Sequence, residues 1–585
     1  MVYLIAILIY LTLLTFIGLY KARQVRTQDD FSVAGRRLPP WVMVCTMLAA
    51  WIGTGSIVGN AEQAYQTGAA ALVIPFGTFF GMIILAVIAP RARAFEATSV
   101  PQIIGIRYGQ TARMAAVAAL VIAYMVIVSY QFNAGGAVLE VIAGQGPAVD
   151  LAVGQVVTTD QLTSGHLVIQ VDQADVGPAR VEVEDRSGER LAFDIEPASV
   201  LTQTPTRPNQ AYLGPDRQAR LLWHLADRSA RTFKIASISP GARLQLRQPR
   251  LSKRSATIIA AVFITGYTIS AGLMGLASTD IITGSIILIC LLMALPILLI
   301  KAGGLEGMRA AYAAMPGRAN HMRIWGVYST TELINYLLPS LLLVMGDANQ
   351  YQRIFASRNS KGARQAVKIM IFAALAVELL IIACAWVAGS MTPDPQDGRY
   401  ILIHAAKHHM PFLMGIFFMV TVVGIIVSTA DSFLLVPAVT LIKDVYCNKI
   451  NPRASQRHAI MASRLTVLLL AVIAYGVSLL FAQSTGFFKK ALYAYTIYGA
   501  AITPSLVAAM CWQRASPAGA VASIITGTVV TLAWSAPGLI RPSLPGPIAG
   551  LDAVLPASTM SVLVLVLVSY LTKPRKAQPG SMADG

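Results

Sequence analysis

The chain has 585 residues, of which 55% are hydrophobic and only 13% charged, with a mean hydropathy of +0.62. A soluble protein of this length carries about a quarter charged residues, so a soluble globular class is excluded and an all-α polytopic membrane protein is expected. The net charge of +18 does not point to nucleic acid, because the Lys and Arg residues fall in short loops between apolar runs, as positive-inside orientation requires.

The first run, "MVYLIAILIYLTLLTFIGLYKARQVR", lacks a charged leader and a small-residue cleavage site, so it reads as a first span over 2–20 and not as a signal peptide. Spans 2 to 4 follow at 40–66, 72–96 and 113–143, and spans 5 to 8 at 255–275, 280–302, 325–346 and 366–390. Spans 9 to 13 lie at 411–443, 462–482, 489–512, 518–537 and 551–572. Nearly all are long enough to cross a hydrocarbon core of ~30 Å, which gives about thirteen transmembrane helices.

Basic residues set the orientation. Lys21, Arg23, Arg26, Arg36 and Arg37 follow span 1, and Arg91, Arg93 and Arg107 follow span 3. Arg353, Arg358, Lys361 and Arg364 follow span 7, and Lys443, Lys449, Arg453 and Arg457 follow span 9. These loops share the inner side if the N-terminus lies outside, which makes residues 573–585 a short cytoplasmic tail in a protein integral to the cytoplasmic (inner) membrane, probable host a bacterium. The outer loop "KAGGLEGMRAAYAAMPGRANHMR" is basic too, so the rule holds on balance. Cys45, Cys290, Cys384, Cys447 and Cys511 show no CxxC spacing and indicate neither a disulfide framework nor a metal centre.

Between spans 4 and 5 the chain changes character. Residues 145–253 turn polar and lose helical periodicity, dividing spans 1–4 (1–144) from spans 5–13 (254–572). "ARVEVEDRSGERLAFDIEP" alternates Val181 and Val183, then Leu191, Phe193 and Ile195, around the turn "DRSG", a hairpin pattern. "KIASISPGARLQLR" repeats it around Pro240-Gly241. A small, mainly β extracytoplasmic insertion is expected, free to dock an extracytoplasmic partner; its role is left open.

Ionisable groups inside a bilayer usually face the bundle interior and mark a pathway. In span 2, "AAWIGTGSIVGN" interrupts the helix at Gly53, Thr54 and Gly55, and two readings stand: freed carbonyls that coordinate a cation, or a close helix-packing face. In span 9, "GIIVSTADSF" carries Ser428 and Thr429, either back-bonded to their own helix or ligands of a hard cation, and Asp431, which needs a partner. Thr279 and Asp280 open span 6, near the inner face, as a cap or as a functional acid. In span 7, Glu332 and Asn335 precede Pro339, where a break is expected, although Glu332 also suits the interfacial layer. No GxxxxGK[ST], HExxH or Ser/His/Asp arrangement is present, so neither ATP-driven transport nor an enzyme is indicated.

"FSVAGRRLPPWVMVCTMLAAWIGTGSIVGNAEQAYQTG", "GYTISAGLMGLASTDIITG", "GDANQYQRIFASRNSKGARQA" and "VSTADSFLLVPAVTLIKDVY" occur in that order and resemble the sodium:solute symporter family. The resemblance implies a LeuT-type fold: inverted five-helix repeats, spans 2–6 and 7–11, behind one extra helix. The two interrupted spans are then the first helices of the repeats, which is where a binding site is expected. It further implies a Na+ site from the carbonyls of Ala49 and Ile52, the carbonyl of Ile425 and the hydroxyls of Ser428 and Thr429, with Asp280 beside the route by which sodium leaves. The substrate positions depart from the family's better-known branches. Ser56 and Pro75 stand where the sugar branch has a glutamine and a glutamate, and Trp51 where the proline branch has an aspartate. Trp51, Ser56, Thr78, Tyr495, Thr496 and Tyr498 are expected to line a substrate cavity, with ordinary packing as the alternative for the aromatic residues.

The expected function is sodium-coupled symport of a small polar organic solute, with membrane lipid and an extracytoplasmic partner of the 145–253 unit as the other partners considered; neither the solute nor the oligomeric state is legible. Two alternatives remain at this level: a proton-coupled carrier of the same fold, using Asp431 or Glu332, and a ligand sensor built on the outer insertion. The tail "TKPRKAQPGSMADG" is short for a sensor's kinase module.

Overall fold

The computed structural model describes residues 2–23, 25–158, 166–171, 179–185, 188, 190–197, 210–213, 218–220, 232–240, 242–315, 317–392, 398, 400–481, 487–535 and 551–574. Among them, ten helices are long and apolar enough to cross a membrane, and a bent pair brings the number to eleven. The remaining difference from thirteen lies in two places. Spans 5 and 6 run as Lys253–Lys301, within which Gly272 alone is non-helical (φ +57°, ψ −179°). Tyr267 Oη lies 2.5 Å from Thr279 Oγ1, whereas twelve residues of straight helix would separate them by about 18 Å. The chain therefore turns back at Gly272. Span 7 is Thr330–Gly346, at 17 residues slightly short for a span.

Two helices are broken. Span 2 runs from Pro40 to Trp51, leaves helical geometry at Ile52 (φ −73°, ψ 99°), and resumes at Gly55–Val73 with its axis bent by 57°. Its second half starts with π winding over Gly55–Asn60. Span 7 continues through Pro339 and breaks instead at Asp347 (φ −58°, ψ 109°), before Ala348–Ala356. The expectation of a break at Pro339 is corrected: neighbouring helices and local adjustment accommodate proline inside membrane helices. The chain interrupts where the Asp347 carboxylate accepts the Asn349 N–H at 3.1 Å.

Span 9, Phe412–Thr440, is buried at every residue from Thr421 to Thr440. It packs on span 4, on the helix Lys253–Lys301 that carries spans 5 and 6, on spans 1 and 10, and on the first half of span 2. Spans 1 and 10 lie at the periphery and expose Ile9, Phe16, Leu465 and Val472. At one end of the bundle the basic loops meet. Arg36 bonds Glu96 O, Arg93 bonds Ser357 O at 3.0 Å, Arg358 bonds Arg37 O at 3.0 Å, and Lys443 pairs with Asp29.

The nine strands described are β1 (Gln145–Leu151), β2 (Val156–Thr158), β3 (His166–Val171), β4 (Ala179–Asp185), β5 (Arg190–Pro197), β6 (Gln210–Leu213), β7 (Gln218–Arg220), β8 (Thr232–Ile238) and β9 (Ala242–Pro249), in two sheets ordered β1-β9-β3-β7 and β2-β8-β4-β5-β6. β4 (Ala179–Asp185) and β5 (Arg190–Pro197) form the expected antiparallel pair, with Val181 opposite Phe193 and Val183 opposite Leu191. The second expected hairpin does not form. β8 (Thr232–Ile238) pairs with β2 and β4, whereas β9 (Ala242–Pro249) pairs with β1 and β3, so the chain changes sheet between them. Alternation reports which residues are buried, here Phe233, Ile235, Leu244 and Leu246; it does not report which strand lies alongside. The turns at 185–188 and 240–241, and the tail beyond Pro574, lie partly or wholly outside the described residues.

Candidate functional site

Leaving the helix at Ile52 strips the last carbonyls of the first half of span 2 of their usual i+4 donors. Span 9 delivers hydroxyls to them. Thr429 Oγ1 lies 3.1 Å from Ala49 O and 2.9 Å from Ile52 O, and Ser428 Oγ lies 3.4 Å from Ala49 O. Glycine makes that approach possible: a Cβ on Gly53 would come within 2.6 Å of Thr429 Cγ2 and 3.0 Å of Gln131 Nε2. Ile425, one turn before Ser428, is buried on the same helix. Of the two readings open for each segment, helix packing and self-bonded hydroxyls account for less than this mutual arrangement of oxygens.

Asp280 is no helix cap. It lies within its helix, fully buried, and accepts hydrogen bonds from Ser428 Oγ at 2.5 Å and from Thr46 Oγ1. Opposite stands Arg353, whose Nη2 is 3.5 Å from Asp280 Oδ2 and 2.7 Å from Ser432 Oγ. Its Nε donates to Thr46 O at 3.0 Å, and its Nη1 to Asn349 Oδ1 at 2.7 Å. Arg353 is the largest fully buried side chain described. Its place in the inner-loop charge count is therefore corrected: it follows span 7 in sequence but folds back into the bundle as the counter-ion of Asp280. Asp431, also buried, leaves Oδ1 without a hydrogen-bond partner.

Trp51 also lines a small cavity of ≈ 20 Å³. Trp51, Ser56, Thr78 and Tyr495 line it, as expected. Thr496 and Tyr498 do not. Thr496 back-bonds to Leu492 O at 2.9 Å, and Tyr498 bridges the span 7 break, donating to Gly346 O at 2.8 Å and accepting from Ala348 N at 3.2 Å. Their hydroxyls are both taken up by backbone carbonyls. Glu332 is exposed and closes a capping box with Ser329, its Oε2 2.8 Å from Ser329 N, so the interfacial reading holds. Asn335 is buried with Oδ1 unpaired, and does not line the cavity.

The sequence reading missed Glu378. This residue of span 8, Ser360–Gly389, is buried in the cavity wall and accepts the Trp51 indole N–H at 2.8 Å. Its signal was present: it is the lone acid in "FAALAVELLIIACAW", and an acid in a membrane span is a functional hypothesis by default. Asp347 was missed too; it is fully buried at the span 7 break, where it accepts a hydrogen bond from the Tyr124 hydroxyl at 2.5 Å.

Comparison with known proteins places this geometry. Residues 31–163 and 231–527 match the family model described as "Sodium:solute symporter family". The osmoregulated proline transporter OpuE of Bacillus subtilis is 26% identical over 319 residues, covering 53% of this chain and 62% of that protein. The sodium/proline symporter of Staphylococcus aureus is 25% identical over 336 residues, covering 56% and 63%. The chain thus spans somewhat under two thirds of the length of the curated relatives it matches. Among solved structures, the substrate-bound outward-open state of a Na+-coupled sialic acid symporter superposes with a TM-score of 0.67 at 12% identity, covering 99% of both chains. That likeness establishes a LeuT-type fold for the helical bundle. By the extent of the family match, which takes in both broken helices and span 9, the chain belongs to the sodium:solute symporter family.

Proposed function

We propose that the protein is a sodium-coupled secondary transporter that imports a small polar organic solute across the cytoplasmic membrane by alternating access. The observation that carries this reading is the meeting of the Ser428 and Thr429 hydroxyls with the Ala49 and Ile52 carbonyls at the break of span 2. Half-helix carbonyls and nearby hydroxyls are the oxygen set that holds sodium in transporters with broken helices, and we assign the ion's ligands to these four residues and Ile425. In the absence of the ion the hydroxyls donate to the carbonyls; with it, all turn their oxygens to the cation, and spans 2 and 9 are pinned together. Asp280, bonded to Ser428 and balanced by Arg353, presents a carboxylate along the ion's way inward.

The solute docks in the cavity beside Trp51, one residue from the Ile52 ligand, so ion and solute stabilise the same arrangement of span 2. The membrane potential adds about 2.3 kcal/mol per 100 mV for each sodium moved inward. Proline and sialic acid, the solutes in the relatives' names, are the first two to test. The N-terminus is outside, the C-terminus inside, and residues 145–253 form an extracytoplasmic unit.

The purified protein is expected to melt at a higher temperature in sodium than in potassium at equal ionic strength, because an ion that binds only the folded state stabilises it. Ser428→Ala and Thr429→Ala should each weaken the apparent sodium affinity by about 10- to 100-fold, the loss of one bond to a charged partner. Equal melting in both salts would sink the reading. A proton-coupled carrier keeps one observation in its favour, the unpaired Oδ1 of Asp431; stability that follows pH while ignoring sodium would select it.

A further inference from the structure

We propose that Glu378 selects the solute, and that the solute carries a positively charged amine. The inference rests on the reading of the cavity as the solute site. Glu378 is 3% exposed; it accepts the indole N–H of Trp51 at 2.8 Å, and the other polar side chains of the wall, among them Ser56, Asn60, Thr78 and Ser340, are neutral. An indole nitrogen only donates, so Oε1 is held as an acceptor facing the cavity. None of the lining residues is Lys, Arg or His. A buried carboxylate is stable when a cation meets it. Here the wall supplies orientation and no counter-charge, and the counter-charge comes with the solute.

A second feature of the wall points to the same ligand. Trp51 and Tyr495 stack with ring centroids 6.4 Å apart and planes inclined by 27°. Aromatic faces attract ammonium groups, whether protonated or alkylated, and do so more strongly where water is excluded. Carboxylate and aromatic faces together make a subsite for a cation in a cavity whose lining includes neither Ala49 nor Ile52. The sodium ligands include no Glu378 atom, so ion and amine are bound by separate groups. The cavity's ≈ 20 Å³ holds about one water, so a solute of amino-acid size enters as Phe488 and the Trp51–Tyr495 pair move apart.

The test is ligand-induced thermal stabilisation of the purified full-length protein in saturating sodium, with three matched pairs of probes. These are L-proline and tetrahydrofuran-2-carboxylate, L-alanine and L-lactate, and ethanolamine and ethylene glycol. At least one amine is expected to raise the midpoint while its amine-free partner does not. Glu378→Gln, which keeps the shape and the acceptor for Trp51, should weaken that amine by about 30-fold or more, as when one partner of a buried charge pair is removed. Sodium stabilisation measured without probe should persist in the variant, which reports that it is folded. Trp51→Phe, which keeps the aromatic face but frees the carboxylate, should weaken the amine by a smaller factor. The proposal is overturned if an amine-free probe binds as well as its partner, if Glu378→Gln retains amine binding, or if no amine shifts the midpoint. Failure of the sodium reading is seen separately, as equal melting in sodium and potassium before any probe is added.

Discussion

Arg353 shows most sharply how a residue's place in sequence differs from its place in the protein. Fully buried, it joins Asp280 to Ser432, Asn349 and Thr46, and so ties spans 2, 6, 7 and 9 at one point. Removing one partner of a buried pair leaves an uncompensated charge, at a cost of about 3–5 kcal/mol. Arg353→Met is therefore expected to destabilise the protein by that amount, and adding Asp280→Asn should restore a large part of it. Denaturant or thermal midpoints of the two single variants and the double variant measure the coupling; strictly additive losses would show that the pair is not one unit. Ser428, Thr429 and the interruption at Gly53–Gly55 stood out because hydroxyls in an apolar run and glycines in a helix each break a local pattern; their pairing as a sodium site came from the family resemblance and stands as our proposal. Arg353 broke none, since a basic residue after a span looks like an ordinary loop charge. Glu378 did break a pattern and was passed over in favour of Glu332, whose acid only caps a helix.

At the level of elements, the positions of the spans were legible from hydropathy, because each must be apolar for the length of a bilayer crossing. Hydropathy divided spans 5 and 6 between residues 275 and 280 but did not identify the residue at which the chain reverses. The reversal at Gly272 sits inside 49 residues of unbroken helical assignment, and depends on a conformation that only glycine adopts readily. A Cβ there would also meet Phe31 Cδ2 at 2.6 Å. Gly272→Ala should therefore cost about 1–3 kcal/mol in backbone strain alone. Gly266→Ala, six residues earlier on the same helix with open space around its Cβ position, should stabilise by up to about 1 kcal/mol. Unfolding midpoints of the two variants moving in opposite directions is the expected result; a neutral Gly272→Ala would mean that the turn lies elsewhere. The span 7 break was likewise expected at the wrong residue, because proline marks where a hydrogen bond is missing and Asp347 marks where a replacement is built.

For the molecule as a whole, the sheets between Gln145 and Pro249 are the part with no counterpart in the transport scheme. Their ends are close. Gly144 closes span 4, Arg250 N donates to Gly144 O at 2.9 Å, and β1 (Gln145–Leu151) pairs with β9 from its first residue, Gln145 opposite Pro249. Deleting 145–249 and joining Gly144 to Arg250 through two or three glycines should leave sodium-dependent stabilisation intact and shift the midpoint by only a few degrees, roughly what loss of about 1 kcal/mol produces in a large protein. Loss of the sodium response would show that the sheets brace the bundle.

The pairing of Gln145 with Pro249 also bears on what the sheets require of the bundle. Two strands that leave the membrane side by side return the backbone to within one hydrogen bond of its departure point, so to spans 4 and 5 the whole excursion is equivalent to a tight turn. Segments whose ends lie that close are the ones a host fold accepts with least disturbance. The sheets therefore make no demand on the helices on either side: a chain that passed straight from Gly144 to Arg250 could follow the same course through spans 4 and 5.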